Sequence, residues 1–305
     1  MTSADLDRGA GRERDRKLVA RMIDLLNLER ADADHFRVPG LQSEPRRTFG
    51  GHLVGQALAA ATATVEPPRL VHSLHAYFVR AGVTTATTEF AVARDADGSN
   101  LSFRRVLVTQ AGRVLLSLSA SFQEPYAGDA HEEAMPPAPP PEALLDDHIR
   151  AAQLPGISPE AQALAGRASP FQFRSLQPEV RLGVAPAPAL QQFWFRAASP
   201  MEGDQAFQRT VLAYASDMML LGTGLMPHGL RWFDGRARIS SIDHALWIHA
   251  DVKIDDWLFY TQESPWSGQG RNLNRGHIFD RAGRMVASVT QEGVMRRHPP
   301  DKRPD

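Results

Sequence analysis

A chain of 305 residues can bury a large core, and its length favours two domains of ordinary size over one. Its 34 Lys and Arg against 35 Asp and Glu leave a net charge of −1, which supplies no basic field for nucleic acid or an anionic membrane surface. Cysteine is absent, which removes disulfides, thiolate metal sites, iron–sulfur clusters and a cysteine nucleophile.

Residues 1–14 mix Arg8, Arg12 and Arg14 with acids and glycines, have no apolar stretch, and read as a disordered tail. No run anywhere reaches the length of a membrane span, so a cytoplasmic home is the default expectation. After Asp15, Leu18, Met22, Leu25 and Leu26 recur at helical spacing and predict one amphipathic helix. A short extended piece over 35–38 follows. Phe49-Gly50-Gly51-His52-Leu53-Val54-Gly55-Gln56 then leads into an alanine-rich, nearly uncharged stretch that predicts a buried helix. Its glycines suit either a close backbone approach by a ligand or packing of the helix on a sheet. Pro67-Pro68 ends it. Strand-like runs over 70–79, 87–94 and 103–122 come next, the last folded into a hairpin at Gln110-Ala111-Gly112. A helix followed by antiparallel strands is an α+β unit.

Residues 124–141 are rich in Pro, Ala, Gly and acids and read as an exposed linker of polyproline character. Beyond it the spacing predicts a helix over 143–152, strands over 171–176 and 190–196, and a loop ending at a helix-capping Asp204. Phe207, Val211, Tyr214, Met218 and Leu221 then step along one helix face, and Gly222 and Gly224 stop it. Over 211–221 this helix is apolar on almost every side apart from Ser216 and Asp217, so the Asp217 carboxyl is carried into a poorly solvated place. Such burial raises a carboxyl pKa and suits a general base; a hydrogen-bonded structural Asp, or an N-cap for a short helix from Met218, accounts for the pattern equally well.

An internal repeat sets the organisation. His75-Ala76-Tyr77-Phe78-Val79 matches His244-Ala245-Leu246-Trp247-Ile248, and Ala111-Gly112-Arg113 matches Ala282-Gly283-Arg284 at nearly the same offset. A duplicated helix-plus-sheet unit follows, with two related sheets able to pair edge to edge. The expected division is a tail (1–14), a first unit (15–124), a linker with a short helix (125–168), a second unit (169–297) and a closing tail (298–305). In the last strand Met285, Ala287, Val289, Gln291, Gly293 and Met295 share one face, so Gln291 points with the apolar set and its amide needs partners. In the strand expected over 239–249 neither face is cleanly apolar.

Several chemistries lack their signatures. There is no Gly-x-Ser-x-Gly elbow, no Gly-x-Gly-x-x-Gly turn and no phosphate-binding Gly-Lys-Ser/Thr loop. His244 and His249 lie five apart in an expected strand and so face opposite sides, which disfavours a metal. No metal and no cofactor is assigned.

The motifs Phe49-Gly50-Gly51, Val54-Gly55-Gln56-Ala57-Leu58, Tyr214-Ala215-Ser216-Asp217, Pro227-His228-Gly229, Ile242-Asp243-His244 and Val289-Thr290-Gln291-Glu292-Gly293 occur in this order. Together they resemble the acyl-CoA thioesterase II (TesB-type) family over residues 18–296. The resemblance implies an α+β double hotdog fold of two tandem units, each an antiparallel sheet wrapped around a long central helix. It implies hydrolysis of fatty acyl-CoA, of medium to long chain, by water activated by Asp217, Ser241 and Gln291, the second unit carrying the chemistry. Gly50, Gly51, His75, Arg271 and Arg275 are further candidates for substrate contact, and a homodimer or homotetramer is implied. Three departures stand out: Asp97-Gly98-Ser99-Asn100-Leu101-Ser102-Phe103-Arg104 lacks the family's usual Ser-Phe after the glycine, Phe78-Val79-Arg80-Ala81-Gly82 replaces the family's Phe-Leu-Arg-Pro-Gly, and Ser241 replaces the commoner Thr while keeping the hydroxyl. A hotdog enoyl-CoA hydratase would want a His five residues after Asp217, where Gly222 stands; a non-catalytic acyl-CoA binding protein on the same fold is the other alternative.

Overall fold

The computed structural model describes residues 3–153, 158–183 and 185–298. The first half contains helix α1 (Ser3–Leu26), the short strands β1 (Glu29–Arg30) and β2 (His35–Val38), helix α2 (Gly50–Thr62), and strands β3 (Leu70–Phe78), β4 (Thr88–Asp97), β5 (Leu101–Gln110) and β6 (Arg113–Gln123). Short helices α3 (Asp147–Gln153) and α4 (Pro159–Ala165) precede β7 (Phe171–Ser175), α5 (Pro178–Leu182) and β8 (Leu190–Ala197). Helix α6 (Gln205–Ser216) and the single turn α7 (Leu220–Thr223) lead to β9 (Ala237–Ser241), β10 (Asp243–Ile248), β11 (Leu258–Gly268), β12 (Arg271–Phe279) and β13 (Met285–Arg297). Helix α1 thus begins well before residue 15. Its first turns carry no apolar stripe, and the apolar spacing marks only the packed part.

All the strands join one antiparallel sheet in the order β1-β2-β4-β5-β6-β3-β10-β13-β12-β11-β8-β7, with β9 added alongside β13. The two halves meet at β3 and β10, where His244 lies opposite Ala76 and Ala245 opposite His75. The repeated His-Ala pairs therefore face each other across the seam, each removing the other's free edge. The sheet curls around α2 and α6. Leu53, Val54, Ala57, Leu58 and Ala61 of α2 share one core with Val211, Leu212 and Ala215 of α6 and with Leu74, Leu116, Leu246 and Val289 of the sheet. This is a double hotdog: the sheet supplies the wrap and the two helices its filling.

Residues 124–140 carry no helix or strand. They run across the outer side of the second half: Met135 and Ala138 pack on Trp194, Phe259 and Phe279, and the Trp194 indole N–H donates to Pro139 O at 2.9 Å. Among the described residues no helix is long and apolar enough to cross a membrane.

Candidate active site

Asp217 stands where α6 stops. Asp204 caps the other end by accepting from Phe207 N–H at 2.9 Å, and every residue from Gln208 to Ser216 is buried. The apolar pattern predicts helix to Leu221, but α6 ends at Ser216 and Asp217 is its C-cap. Two residues on, Met219 adopts φ +65°, a left-handed conformation costing about 1 kcal/mol or more for a side chain of this kind. Buried amides hold that turn: Gln262 Nε2 donates to Met218 O and Gln191 Nε2 to Met219 O, both at 3.0 Å. The capping residue of α7 is Met219, so Asp217 is not an N-cap.

The first turn of α2 comes from the other half. A Cβ on Gly51 would stand 2.3 Å from Tyr214 O, and one on Gly50 would stand 2.7 Å from Asp217 Oδ2. Only glycines let the two helices come this close. Burial pushes the Asp217 carboxyl up to about 7, against the lowering effects of the Gln291 side-chain hydrogen bond and the Gly51 backbone N–H. The side chain is nonetheless reachable, with 7% of the residue exposed.

Gln291 lies on the inner face of β13, fully buried beside Val289 and Ala287, as its place in the apolar set predicts. Its Nε2 donates to Asp217 Oδ1 at 2.9 Å and to Ser241 Oγ at 2.6 Å. Both amide hydrogens are thereby used, and the Ser241 hydroxyl, which accepts, keeps its own hydrogen for another partner. Ser241 reaches this position because the strand expected over 239–249 is broken at Ile242 into β9 and β10. The break is held by the Asp243 carboxylate, which accepts from Glu292 N–H at 2.7 Å, and by Ile242 N–H donating to Glu292 O at 2.8 Å. Unbroken alternation would put Ser241 and His244 on opposite faces. The bend brings both to Gln291.

His244, a repeat anchor and part of the Ile242-Asp243-His244 motif, has no place among the candidate site residues read from sequence. It is fully buried, with Nδ1 3.1 Å from Gln291 Oε1 and Nε2 2.8 Å from Ser216 Oγ. Burial drives its pKa down to about 4, so the ring is neutral near pH 7. Since Gln291 spends both hydrogens elsewhere, its oxygen must accept, which puts the ring proton on Nδ1 and makes Nε2 an acceptor; it faces the Ser216 hydroxyl, whose one hydrogen it shares with Ala213 O at 2.9 Å. From His244 through Gln291 to Asp217 and Ser241 the donation thus has one consistent direction.

A cavity of about 850 Å³ opens onto Asp217 and Ser241, walled on its apolar side by Phe171, Tyr214, Met218, Met219, Leu221 and Trp232. A second opening of about 220 Å³ meets the first at Arg47, Gly50 and Ser241 and continues past Arg80 and Arg238. Of the further candidates, Gly50 lines both openings and Gly51 lies against the same helix junction. His75 sits on the outer sheet face, edge-on to Trp247 at 5.1 Å between ring centroids. Arg271 pairs with Glu292 at 3.4 Å and Arg275 pairs with Glu263; His75, Arg271 and Arg275 line neither opening. No cluster of three or more His, Asp or Glu suited to a metal occurs among the described residues.

Comparison with known proteins agrees with this architecture. A model of the acyl-CoA thioesterase family matches residues 178–294, and one of the acyl-CoA thioesterase N-terminal domain matches residues 41–123. The chain is 37% identical to acyl-coenzyme A thioesterase 8 of Homo sapiens over 284 residues, covering 90% of this chain and 88% of that protein. It is 31% identical to acyl-CoA thioesterase 2 of Haemophilus influenzae over 280 residues, covering 92% and 98%. Among solved structures, the acyl-CoA thioesterase II TesB2 of Mycobacterium marinum superposes with a TM-score of 0.74 at 36% identity, covering 92% of this chain and all of that one. A hotdog-fold protein of Alicyclobacillus acidocaldarius, 18% identical with a TM-score of 0.71 and covering 92% and 99%, shares the fold.

Proposed function

The chain belongs to the TesB-type acyl-CoA thioesterase II family and is a thioester hydrolase acting on acyl-CoA, and from that premise we propose that Asp217 is the base that activates water, with Ser241 holding the water and Gln291 orienting both, on fatty acyl groups of medium to long chain. The observation that carries the reading is the Gln291 amide, which bonds Asp217 and Ser241 at once and so fixes a carboxylate and a hydroxyl around one small space. A carboxyl with a pKa near 7 is matched to taking a proton at neutral pH.

In the step proposed, a water held by Ser241 and Asp217 attacks the thioester carbonyl carbon and gives its proton to Asp217. The carbonyl oxygen becomes an oxyanion, the C–S bond then breaks, and coenzyme A leaves as a thiolate that takes up a proton. The backbone N–H groups at the start of α2 supply positive potential for the oxyanion. The Gly51 N–H faces the Asp217 carboxylate, which leaves Gly50 N–H, without a partner among the described residues, as the donor nearest the reaction. The apolar wall of the 850 Å³ cavity supports the chain-length reading, since that volume lies toward the upper end for small-molecule sites. Gly222, five residues after Asp217, offers no second acid for a hydratase.

Thiol release from a series of acyl-CoA substrates of graded length, without added metal, tests the proposal. Release above the uncatalysed rate is expected from medium chains upward; confinement of activity to short acyl groups would remove the chain-length reading. Within the same assay Ser241→Thr should stay within about tenfold in kcat/KM, because the hydroxyl is kept and a β-branched residue suits a strand. Ser241→Ala should lose on the order of 10 to 1,000-fold, mainly in kcat. A folded Ser241→Ala enzyme with unchanged kinetics would take Ser241 out of the water site.

Association into a homodimer or homotetramer is part of the same reading. It is supported by the outer face at the seam, where Tyr77 is 63% exposed on the same side of the sheet as His75 and half-buried Trp247. Light scattering at micromolar concentration should give at least a dimer, and a monomer-sized species alone would exclude it.

A further inference from the structure

The two openings that meet at Ser241 and Gly50 differ in charge. The larger one mixes signs: Asp15, Asp146 and Asp147 stand with its arginines, and Arg181 is tied to Asp147 at 2.6 Å. The smaller one is lined by Arg80 and Arg238, by Arg47, which stands where the two openings meet, and by no Asp or Glu. Arg47, Arg80 and Arg238 are among the arginines that have no ion pair among the described residues, unlike Arg181 on the larger opening. Among the described residues the one side-chain hydrogen bond of the three is Arg80 Nη1 donating to Val114 O at 3.0 Å.

They also arrive from three separate segments, each rooted beside the site. Arg47 lies three residues before Gly50, Arg80 two residues after the last residue of β3, and Arg238 within β9 three residues before Ser241. Isolated exposed arginines are ordinary solvated charges. Three of them converging on one opening repel each other, an arrangement that is relieved when an anion sits among them.

We propose that Arg47, Arg80 and Arg238 form the subsite for the phosphate groups of coenzyme A, the acyl chain taking the larger cavity. This rests on the acyl-CoA reading above. Coenzyme A carries its phosphates at the end of the pantetheine arm remote from the thioester. The acyl chain and the arm leave the carbonyl in opposite directions, and two openings meeting at the water site accommodate that. Three residues of strand put the Arg238 backbone about 10 Å from Ser241, and the side chain extends further, a reach suited to an extended arm. Guanidinium groups meet phosphate oxygens with paired N–H donors. The first half of the molecule, which holds none of Asp217, Ser241 and Gln291, thereby supplies two of the three arginines at the nucleotide end, and β9 of the second half supplies the third.

The test compares one acyl group carried on coenzyme A and on N-acetylcysteamine, which has no phosphate. Arg47→Gln, Arg80→Gln, Arg238→Gln and the triple variant are assayed with both, and calorimetry measures binding of free coenzyme A and of pantetheine. For acyl-CoA, KM should rise on the order of tenfold for the stronger single variants and more for the triple one. The N-acetylcysteamine thioester should be affected at least tenfold less, and its continued turnover shows that the variants fold. The acyl-CoA preference of the unaltered enzyme should also shrink as salt is raised. Equal changes on both substrates would overturn the assignment, as would a phosphate-specific rise in KM in Arg167→Gln, on the larger cavity, with none in the triple variant. If neither thioester is hydrolysed the proposed chemistry fails; coenzyme A binding that is lost in the triple variant, with pantetheine binding kept, would still uphold the subsite.

Discussion

Asp217→Asn should lose on the order of 1,000-fold or more in kcat on acyl-CoA while remaining folded, because the group that accepts the proton is gone and the shape is kept. In the unaltered enzyme the active form is the carboxylate, so kcat/KM should rise tenfold per pH unit up to about 7 and level off above it. The same shift has a consequence for stability. The folded-state pKa lies above the unfolded value of 3.8, so between those limits the unfolded chain holds fewer protons than the folded one. This group's contribution is therefore fully present below pH 3.8 and is lost as pH rises through about 7. A shift of this size corresponds to an upper bound of about 4 kcal/mol. Asp217→Asn escapes most of that cost, although its amide would face the Gly51 N–H donor to donor, which offsets part of the gain. The variant should thus melt above the unaltered protein at pH 8 and show little advantage at pH 4. Retention of kcat within tenfold would assign the base to another group; a melting advantage that does not depend on pH would disconnect it from this carboxyl.

The parts of this site that were legible from sequence are those where a polar residue breaks an apolar period. Gln291 alternates with Ala287 and Val289, and a period of two places it inward without further information. Asp217 interrupts an all-round apolar helix, and its burial follows from that. What periodicity could not supply is where the period itself fails. The end of α6 at Ser216 depends on Gln191 and Gln262 from β8 and β11, far away in the chain, which bind the carbonyls of Met218 and Met219. The break at Ile242 depends on an Asp243 carboxylate meeting a β13 amide, and it decides that Ser241 and His244 converge on one glutamine. Arg271 and Arg275, the arginines named as candidates for substrate contact, both have glutamate partners across strands. Arg47, Arg80 and Arg238 lie on segments that only the closed fold brings together.

His244 should prove to be a positioning residue whose loss is read in the Asp217 titration. Replacing it with Phe keeps a ring but leaves Gln291 Oε1 buried without a donor, at a cost of roughly 1–3 kcal/mol. The amide can recover a partner for its oxygen only by turning, and turning would aim that oxygen at the Asp217 carboxylate. His244→Phe should therefore lower kcat on the order of 10 to 100-fold with KM within about threefold, since the loss falls on orientation of the base. The Gln291 hydrogen bond lowers the Asp217 pKa in the native site. Weakening it should move the acid limb of the rate profile to higher pH, which a defect confined to core packing would not do. His244→Asn supplies an amide N–H close to the position of the histidine Nδ1, and it should restore most of the rate and return the limb toward about 7. If both variants lose equal activity with the limb unmoved, His244 serves only the packing between β10 and α6, and the orientation of Gln291 must be set by Asp217 and Ser241 alone.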